Sequence, residues 1–188
     1  MTKLYKKLKL TNSHQGFNDY FKPLKRLGRG SFAAVYLIES KYTGEKFAAK
    51  VFAKEGQKLE YKGRESLENE IKTIKLLSHP NIIRFEGIYE TDNLIYLVTE
   101  YLSGGTLVDF LRKNVSTLGD HIIKIITDVL DALDYLKSKH IMHRDIKPEN
   151  IVLRKEDNKW VLVDFGLAAY SNEAYLYNKC GTMGYIAP

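Results

Sequence analysis

The stretch His143–Asn150 constrains this chain of 188 residues more than any other part of its sequence. It reads His-Arg-Asp-Ile-Lys-Pro-Glu-Asn and leads directly into the apolar run Ile151–Leu153. A base, a cation and an amide lie within these eight positions, so one turn could hold all three around a single reacting phosphate. Without support from the rest of the chain, the same residues would form only a charged loop.

The composition indicates a globular protein whose positive charge is concentrated at one end. Hydrophobic residues make up 44% of the chain, which is long enough for one domain or for two small lobes. The net charge is +6, but four lysines within the first ten residues leave only +2 for the remainder. We therefore interpret residues 1–19 as a solvated basic tail and expect no nucleic-acid partner, although such a tail can also bind an anionic partner.

The cysteine content and the lengths of the apolar runs favour a location inside the cell. Cys180 is the only cysteine, so no disulfide can form within the chain, and this fits a reducing compartment. No apolar run approaches the roughly 20 residues that a membrane-spanning helix needs. The sequence predicts a cytoplasmic protein, with the nucleus as an alternative.

The first third of the chain carries three β-prone patterns separated by glycine turns. They cover Phe21–Gly28, Ala33–Glu39 and Lys46–Val51, and they predict an antiparallel meander. Gly28 and Gly30 in the first turn would let the backbone approach phosphate oxygens closely. The alternative is a plain hairpin turn.

Lys50, in the third of these strands, has apolar neighbours on both sides and is expected to need an acidic partner. Glu68 and Glu70 compete for this role on a helix predicted over Gly63–Leu77. At about 100° per residue, Glu70 lies on the apolar, inward side of the helix and Glu68 lies nearly opposite. Glu70 is the predicted partner, and two unrelated surface charges are the alternative.

The second part of the chain combines strands with two helices. Pairs of adjacent glycines favour a turn or a hinge, and residues 100–105 end in Gly104-Gly105, so this segment is predicted to connect two lobes. The long helix carries an apolar stripe of Ile122, Ile126, Val129, Leu133 and Leu136. The predicted elements are Ile82–Tyr89, Leu94–Thr99, Thr106–Arg112, Leu118–Lys139, Ile151–Leu153 and Trp160–Val163. Together they indicate an α+β protein with two lobes.

A carboxylate follows the last of these strands, in Asp164-Phe165-Gly166, where it could hold a divalent cation. The ordered set of glycine turn, strand lysine, helix glutamate, connector, His143–Asn150 and Asp164-Phe165-Gly166 resembles a eukaryotic protein kinase catalytic domain. Lys147 is typical of the serine/threonine branch, and the segment from Cys180 is similar to calcium/calmodulin-dependent kinases.

The resemblance covers residues 20–188 and implies a two-lobed protein-kinase-like fold. The N-lobe would be an antiparallel β-sheet with one main helix over residues 20–99, followed by a hinge at 100–105. A helical C-lobe over residues 106–188 would be incomplete, because the chain ends at Ala187-Pro188 before the glutamate of the family's Ala-Pro-Glu motif. The apolar face of the long helix would then be exposed.

The same resemblance assigns ten residues to an ATP site. In this set Gly28 and Gly30 would cover the phosphates, and Lys50 would bind the α and β phosphates. The Glu70 carboxylate would orient Lys50, and the other residues would surround the adenine. The ten residues are Gly28, Gly30, Val35, Ala48, Lys50, Glu70, Thr99, Glu100, Leu102 and Val152.

The resemblance also assigns the catalytic and metal-binding residues. Asp145 would accept the proton of the substrate hydroxyl, Lys147 would contact the γ-phosphate, and Asn150 and Asp164 would bind Mg²⁺. His143 is interpreted as a packed core histidine, in a row with Ile74, Phe85 and Phe165, and not as a base.

Three positions depart from the family pattern. Ala33 replaces the third glycine of the phosphate loop, which stiffens the turn without adding much bulk. Asn178 stands at the usual activation-loop phosphosite, where Ser171, Tyr175 or Tyr177 could substitute. Thr106 replaces a glutamate typical of arginine-directed kinases, for which Asp109 or Glu149 could compensate.

The function predicted from these features is that of an ATP- and Mg²⁺-dependent kinase acting on serine or threonine in protein substrates. The alternative is a nucleotide-binding or interaction module of the same fold that is truncated and catalytically weak or inactive. The intact set of Lys50, Asp145, Asn150 and Asp164 favours the enzyme, and the end at Pro188 favours the module.

Overall fold

The computed structural model describes residues 16–30, 33–54, 61–113, 118–171 and 180–186. Most of the predicted basic tail, the positions of Tyr175, Tyr177 and Asn178, and the final Ala187-Pro188 lie outside the described residues. The chain divides into two compact units. The first comprises Met1–Glu65 and Phe85–Tyr101, and the second comprises Ser66–Arg84 and Leu102–Pro188.

The first unit is built on a five-stranded antiparallel sheet preceded by a short helix, which confirms the predicted meander. The strand order is β1-β2-β3-β5-β4, so β1 and β4 form the edges. The elements are α1 (Phe17–Tyr20), β1 (Phe21–Arg29), β2 (Ala34–Ser40), β3 (Lys46–Ala53), β4 (Phe85–Glu90) and β5 (Leu94–Glu100).

The core of the first unit depends on aromatic side chains around α1. The Phe17 ring stacks on the Tyr96 ring with the centroids 3.7 Å apart, and it contacts the Phe21 ring at 5.4 Å. The sequence did not predict α1, because four residues are too few to show helical periodicity. Phe17 nevertheless lies among the most buried residues of this unit.

Helix α2 (Tyr61–Ile74) begins and ends near its predicted bounds. Leu67, Glu70, Ile71 and Ile74 are buried at a spacing of three or four residues, so the predicted inward face of the helix is confirmed. Glu70 is only 4% exposed, and Glu68 is half-buried.

The second unit contains two further helices and two small antiparallel two-stranded sheets. Strands β7 and β8 form a hairpin, whereas β6 pairs with β9 from further along the chain. Strands β6 and β9 have two residues each, too few to be recognised from alternation. None of the helices in the described part of the chain is long and apolar enough to cross a membrane. The elements are α3 (Leu107–Lys113), α4 (Leu118–Ser138), β6 (Ile141–Met142), a 3-10 turn (Pro148–Asn150), β7 (Ile151–Arg154), β8 (Lys159–Leu162) and β9 (Ala169–Tyr170).

The buried side of α4 differs from the predicted apolar stripe. Two members of that stripe, Ile122 and Ile126, are 37% and 49% exposed. The most buried face consists of Ile125, Asp128, Ala132 and Leu136, of which only Leu136 belongs to the predicted stripe. The exposure of Ile122 and Ile126 agrees with the expected exposed apolar face of this helix. The sequence did not indicate the buried face, because Asp128 looks like a surface residue, yet its carboxylate accepts a hydrogen bond of 2.8 Å from the Trp160 backbone N–H.

The Gly104-Gly105 pair forms a turn that is anchored on β7. Gly104 donates its backbone N–H to the Leu153 carbonyl at 2.9 Å, and Leu153 donates to the Gly105 carbonyl at 3.0 Å. Gly105 has a φ of +81°, which favours glycine. A Cβ on Gly104 would lie 2.5 Å from the Leu153 carbonyl oxygen, so the close approach also requires glycine.

Gly104→Ala is expected to destabilise the second unit by about 1–3 kcal/mol, because the backbone of Leu153 must move to admit the methyl group. Trp160 is the only tryptophan, and it lies opposite Leu153 in the β7–β8 pair, so its fluorescence reports unfolding of this unit. The control is Gly119→Ala in α4, where a Cβ meets nothing within 4 Å. A Gly104→Ala variant as stable as the control would contradict the packing argument.

Candidate active site

His143 is a packed core residue at the start of the loop between β6 and β7. Its side chain is buried, and its ring lies 4.8 Å from the Phe165 ring in an edge-on arrangement. Nε2 lies 3.0 Å from the Val163 carbonyl oxygen, and Nδ1 accepts a 3.3 Å hydrogen bond from the Asp145 N–H. These contacts assign the ring proton to Nε2 of a neutral imidazole.

Burial lowers the pKa of His143 and outweighs the opposing influence of the Val163 hydrogen bond and the nearby carboxylates. The imidazole therefore stays neutral near pH 7. This agrees with its interpretation as a structural residue. Ile74 is also buried in the second unit, whereas Phe85 belongs to the first.

Asp145, Lys147 and Thr182 form a cluster in which each side chain contacts the other two. The Lys147 ammonium lies 2.8 Å from one carboxylate oxygen of Asp145 and 2.7 Å from the Thr182 hydroxyl. The Thr182 hydroxyl donates to the other carboxylate oxygen at 2.7 Å. The Thr182 hydroxyl accepts from Lys147 through an oxygen lone pair and donates its single proton to Asp145, so one hydroxyl group makes both contacts.

The Asp145 carboxyl is an ionised group in a buried position. Burial is the largest single influence and by itself raises the pKa of Asp145. The hydrogen bonds from Lys147, Thr182 and Asn150 and the positive charge of Lys147 together outweigh burial, so the pKa lies below its usual range. The carboxylate is therefore unprotonated and oriented at neutral pH.

Asn150 is fixed by the same loop. Its amide nitrogen donates to the backbone carbonyl and to a carboxylate oxygen of Asp145, both at 2.9 Å. The amide oxygen must then point away from Asp145. The Val163 N–H also donates to the Asn150 carbonyl at 2.9 Å, so the backbones of Asn150 and Asp164 are held close together.

Two residues of the site adopt a left-handed backbone that is unusual for side chains other than glycine. Arg144 has a φ of 66° and Asp164 has a φ of 64°. The Arg144 guanidinium donates through Nε to the Leu167 carbonyl at 2.7 Å, which ties the loop to the segment after Asp164. Asp164 itself is exposed.

Helix α2 contacts the segment after Asp164 through side chains that the sequence did not indicate. The Asn69 amide donates to the Ala168 carbonyl, and the Ser66 hydroxyl donates to the Gly166 carbonyl at 3.4 Å. A Cβ on Gly166 would lie 2.6 Å from the Ser66 hydroxyl and 3.8 Å from the Glu70 carboxylate. Partners about 100 residues apart leave no local pattern, so no motif could have revealed these contacts.

In the first unit, the predicted site residues lie on one face of the sheet. Val35 is directly opposite Lys50 in the β2–β3 pair, and Ala48 is directly opposite Thr99 in the β3–β5 pair. Because alternate residues share a face, all four side chains project from the same side. Gly28 pairs with Val35 at the end of β1, next to Gly30.

The other predicted nucleotide-site residues are placed as follows. Glu100 and Leu102 are buried, and the Glu100 carbonyl accepts a hydrogen bond of 3.3 Å from the Thr99 hydroxyl. Val152 lies on β7, bridged to Thr106. Lys50 belongs to the first unit and Glu70 to the second, so their pairing stays a prediction.

Comparison with known proteins identifies the family. The model of the protein kinase domain matches residues 21–188, which is most of the chain. The chain belongs to the protein kinase domain family. This confirms the family resemblance and the α+β kinase fold that the motifs had implied.

Relatives of this kinase domain include several protein kinases. It is 37% identical over 183 residues to Calcium-dependent protein kinase 4 of Plasmodium berghei, a match that covers 95% of this chain and 34% of that protein. It is 38% identical to Serine/threonine-protein kinase DCLK3 of Mus musculus, over 86% of this chain and 20% of that protein. It is 37% identical to Calcium/calmodulin-dependent protein kinase type 1 of Caenorhabditis elegans, over 86% of this chain and 47% of that protein. The chain therefore spans less than half the length of each of these relatives.

Two of the departures from the kinase pattern can be placed in the structure. The Ala33 backbone carbonyl accepts a 2.8 Å hydrogen bond from the Gly30 N–H, which joins the two sides of the turn that was predicted to bind phosphate. Thr106 is held by Asp109, whose carboxylate accepts from the Thr106 hydroxyl at 2.8 Å and from its backbone N–H at 3.2 Å. The Asp109 carboxylate in this kinase domain therefore already accepts hydrogen bonds from Thr106, the residue that precedes α3.

Thr182→Val is expected to raise the pKa of Asp145, because the variant keeps the shape of the side chain but loses the hydroxyl that donates to the carboxylate. The measurement is a ¹³C NMR titration of the aspartate carboxyl groups. Thr106→Val is the matched control, because it removes a similar hydroxyl from the exposed Asp109. It should raise the pKa of Asp109 and leave that of Asp145 unchanged. An unchanged pKa of Asp145 in the Thr182→Val variant would contradict the hydrogen bond from Thr182 to Asp145.

His143 is expected to make the folded domain less stable in acid. Its folded pKa lies below the ordinary value of 6.5, so the unfolded chain binds a proton that the folded chain does not between the two values. Stability is thus fully present above about pH 6.5 and is lost as the pH falls, with a slope of at most about 1.4 kcal/mol per pH unit.

The measurement is chemical denaturation followed by Trp160 fluorescence across this pH range, in buffer that contains a chelator and no nucleotide. His143→Asn should reduce the slope by up to about 1.4 kcal/mol per pH unit, which is the contribution of one proton. Equal slopes in the wild type and in the His143 variant would show that the imidazole is already charged or accessible.

Proposed function

We propose that this kinase domain transfers the γ-phosphoryl group of ATP to serine and threonine hydroxyls of protein substrates. The observation that carries the proposal is the cluster of Asp145, Lys147 and Thr182, in which an ionised carboxylate and an ammonium group lie 2.8 Å apart in a buried loop. Phosphoryl transfer depends mainly on positioned charge, and this cluster supplies charges of both signs.

Asp145 would orient the substrate hydroxyl and accept its proton. Its lowered pKa keeps it ionised, and the hydrogen bonds from Thr182 and Asn150 fix the direction of the carboxylate. Lys147 would contact the transferred phosphate, where its charge stabilises the oxygens that become more negative in the transition state.

The metal site would consist of Asn150 and Asp164. The hydrogen bonds of the Asn150 amide nitrogen leave its oxygen facing away from Asp145, and Asp164 is an exposed carboxylate on the neighbouring backbone. Hard oxygen donors of this kind fit Mg²⁺, which usually takes one or two protein ligands together with substrate phosphates. When bound, Mg²⁺ would offset the negative charge of the phosphate oxygens.

The nucleotide would use the face of the first-unit sheet that carries Val35, Ala48, Lys50 and Thr99. The glycines at positions 28 and 30 support phosphate binding, since neither has a side chain to block the approach of an oxygen to the backbone. Glu100, Leu102 and Val152 would complete the adenine contacts.

Serine and threonine are the proposed acceptors because Lys147 is typical of that branch and contacts Thr182, a second residue typical of it. A relative that is 38% identical bears the name Serine/threonine-protein kinase, which supports the same acceptor class. The names of other relatives refer to calcium. Among the described residues of this chain, no group of three or more His, Cys, Asp or Glu side chains could hold a metal ion.

Asp145→Asn is expected to lower phosphate transfer by at least about 100-fold, because the amide can neither accept the hydroxyl proton nor attract Lys147. The assay measures radiolabelled phosphate transfer from ATP to a mixed peptide pool, with separate serine/threonine and tyrosine pools. Asp157→Asn, at an exposed turn on the β7–β8 hairpin, is the control and should retain activity within about twofold.

Binding of ATP is measured separately, with and without Mg²⁺. A wild-type chain that binds ATP but transfers no phosphate would favour the alternative of a nucleotide-binding module. Preferential labelling of the tyrosine pool would contradict the assignment of the acceptor, and an active Asp145→Asn variant would contradict the assigned base.

A further inference from the structure

The first unit has an apolar groove on the face of its sheet opposite Lys50. It encloses about 590 Å³, which lies within the usual range of small-molecule sites. Its apolar lining is provided by α1 and three strands. Its partly exposed side chains are Tyr36, Val51 and Leu94, and the buried core residues Phe17, Ile38 and Tyr96 lie beneath them.

The alternation of the strands separates this groove from the face of the predicted nucleotide site. Tyr36 pairs with Ala49, and Val51 pairs with Tyr96, so these side chains share one face of the sheet. Lys50 lies between Ala49 and Val51 and therefore projects from the other face. Ala49 has the same orientation as its partner Tyr36 and forms part of the groove lining.

Two irregularities in β1 bring positive charge to the groove. The pairing with β2 shifts between Pro23 and Lys25 and again between Arg26 and Gly28. As a result Arg26 pairs with Tyr36, and Arg29 pairs with a groove-lining alanine. A regular strand would alternate strictly and could not place residues three apart on the same face, so the bulges aim both arginines at the groove.

The two arginines have no counter-charge within the described residues. Neither side chain makes a hydrogen bond or an ion pair in that part of the chain, and no acidic residue lines the groove there. Two guanidinium groups beside an apolar cavity of this size are complementary to a small ligand that carries one negatively charged group on an apolar body.

The chain itself is a poor source for such an occupant. Residues 1–15, which directly precede the helix at the rim of the groove, contain four lysines and no acidic residue, so they would be repelled by the arginines. A second copy is also disfavoured by a net charge of +6 on each chain.

We propose that this groove binds a small anionic amphiphile of the carboxylate class, with the carboxylate on Arg26 and Arg29 and the apolar body against Tyr36, Val51 and Tyr96. Such binding is independent of phosphate transfer and uses the opposite face of the sheet. It would stabilise the first unit by adding contacts between β1, the edge strand, and the strands beside it.

The test is isothermal titration calorimetry of the full chain with dodecanoate, below its micelle concentration and at moderate salt. Arg26→Gln/Arg29→Gln is expected to weaken binding at least about tenfold, as expected when charged hydrogen bonds are lost. The matched control is Lys22→Gln/Lys25→Gln, which removes the same charge from exposed positions of β1 that do not line the groove. This control should change the affinity by less than about twofold.

The apolar half of the site is tested separately. Ala34→Leu projects a larger side chain into the groove and should weaken binding, as should shortening the ligand to octanoate. Dodecanol, which lacks the charge, should bind at least about tenfold more weakly than dodecanoate. Circular dichroism checks that each variant remains folded.

Four outcomes would overturn the proposal. One is a failure of dodecanoate to bind the wild-type chain. Another is an equal loss of affinity in the two double variants, which would indicate non-specific attraction by a basic surface. Equal affinity for dodecanol would remove the carboxylate from the assignment. Binding of a glutamate-rich peptide with the expected arginine dependence, in the absence of dodecanoate binding, would assign the groove to a protein partner.

Discussion

The candidate active site depends on a buried neutral imidazole. His143 accepts a hydrogen bond from the Asp145 N–H and lies within hydrogen-bonding distance of the Val163 carbonyl, so it joins the loop after β6 to the segment between β8 and Asp164. A neutral ring has one donor and one acceptor, and both are used. Burial keeps the ring neutral by lowering its pKa, and a second proton would remove the acceptor that holds Asp145. The geometry of the loop is thus linked to the desolvation of one side chain.

The residues around this imidazole carry local strain that the surrounding hydrogen bonds support. Arg144 and Asp164 are both in the left-handed region, at a cost of about 1–3 kcal/mol each. Arg144 is held there by the Leu167 carbonyl, and the backbone next to Asp164 is held by the Asn150 carbonyl. Strain of this kind persists only where neighbouring contacts determine the conformation, as the hydrogen bonds around Arg144 and Asp164 do here.

Much of the fold could be predicted from the sequence because its signals are local. The strands of the first unit and helices α2 and α4 begin and end within a few residues of the predicted bounds, since alternation and helical periodicity are properties of short segments. The buried face of α4 could not be predicted, because Asp128 is buried by a hydrogen bond to Trp160 from a distant strand. The bulges of β1 were also beyond prediction, since their position depends on how β1 pairs with β2.

The sequence by itself determined the family and the chemical identity of the candidate site, because kinase motifs specify residue types at fixed spacings. Asp145, Lys147, Asn150 and Asp164 could all be named from their motifs alone. Only the tertiary structure decided which groups restrain them. Thr182 bridges Asp145 and Lys147, and Asn69 of α2 anchors the segment after Asp164, across separations of 35 to 99 residues. Hydrogen bonds form between groups that are close in space, and closeness between distant parts of a chain arises only when the chain has folded.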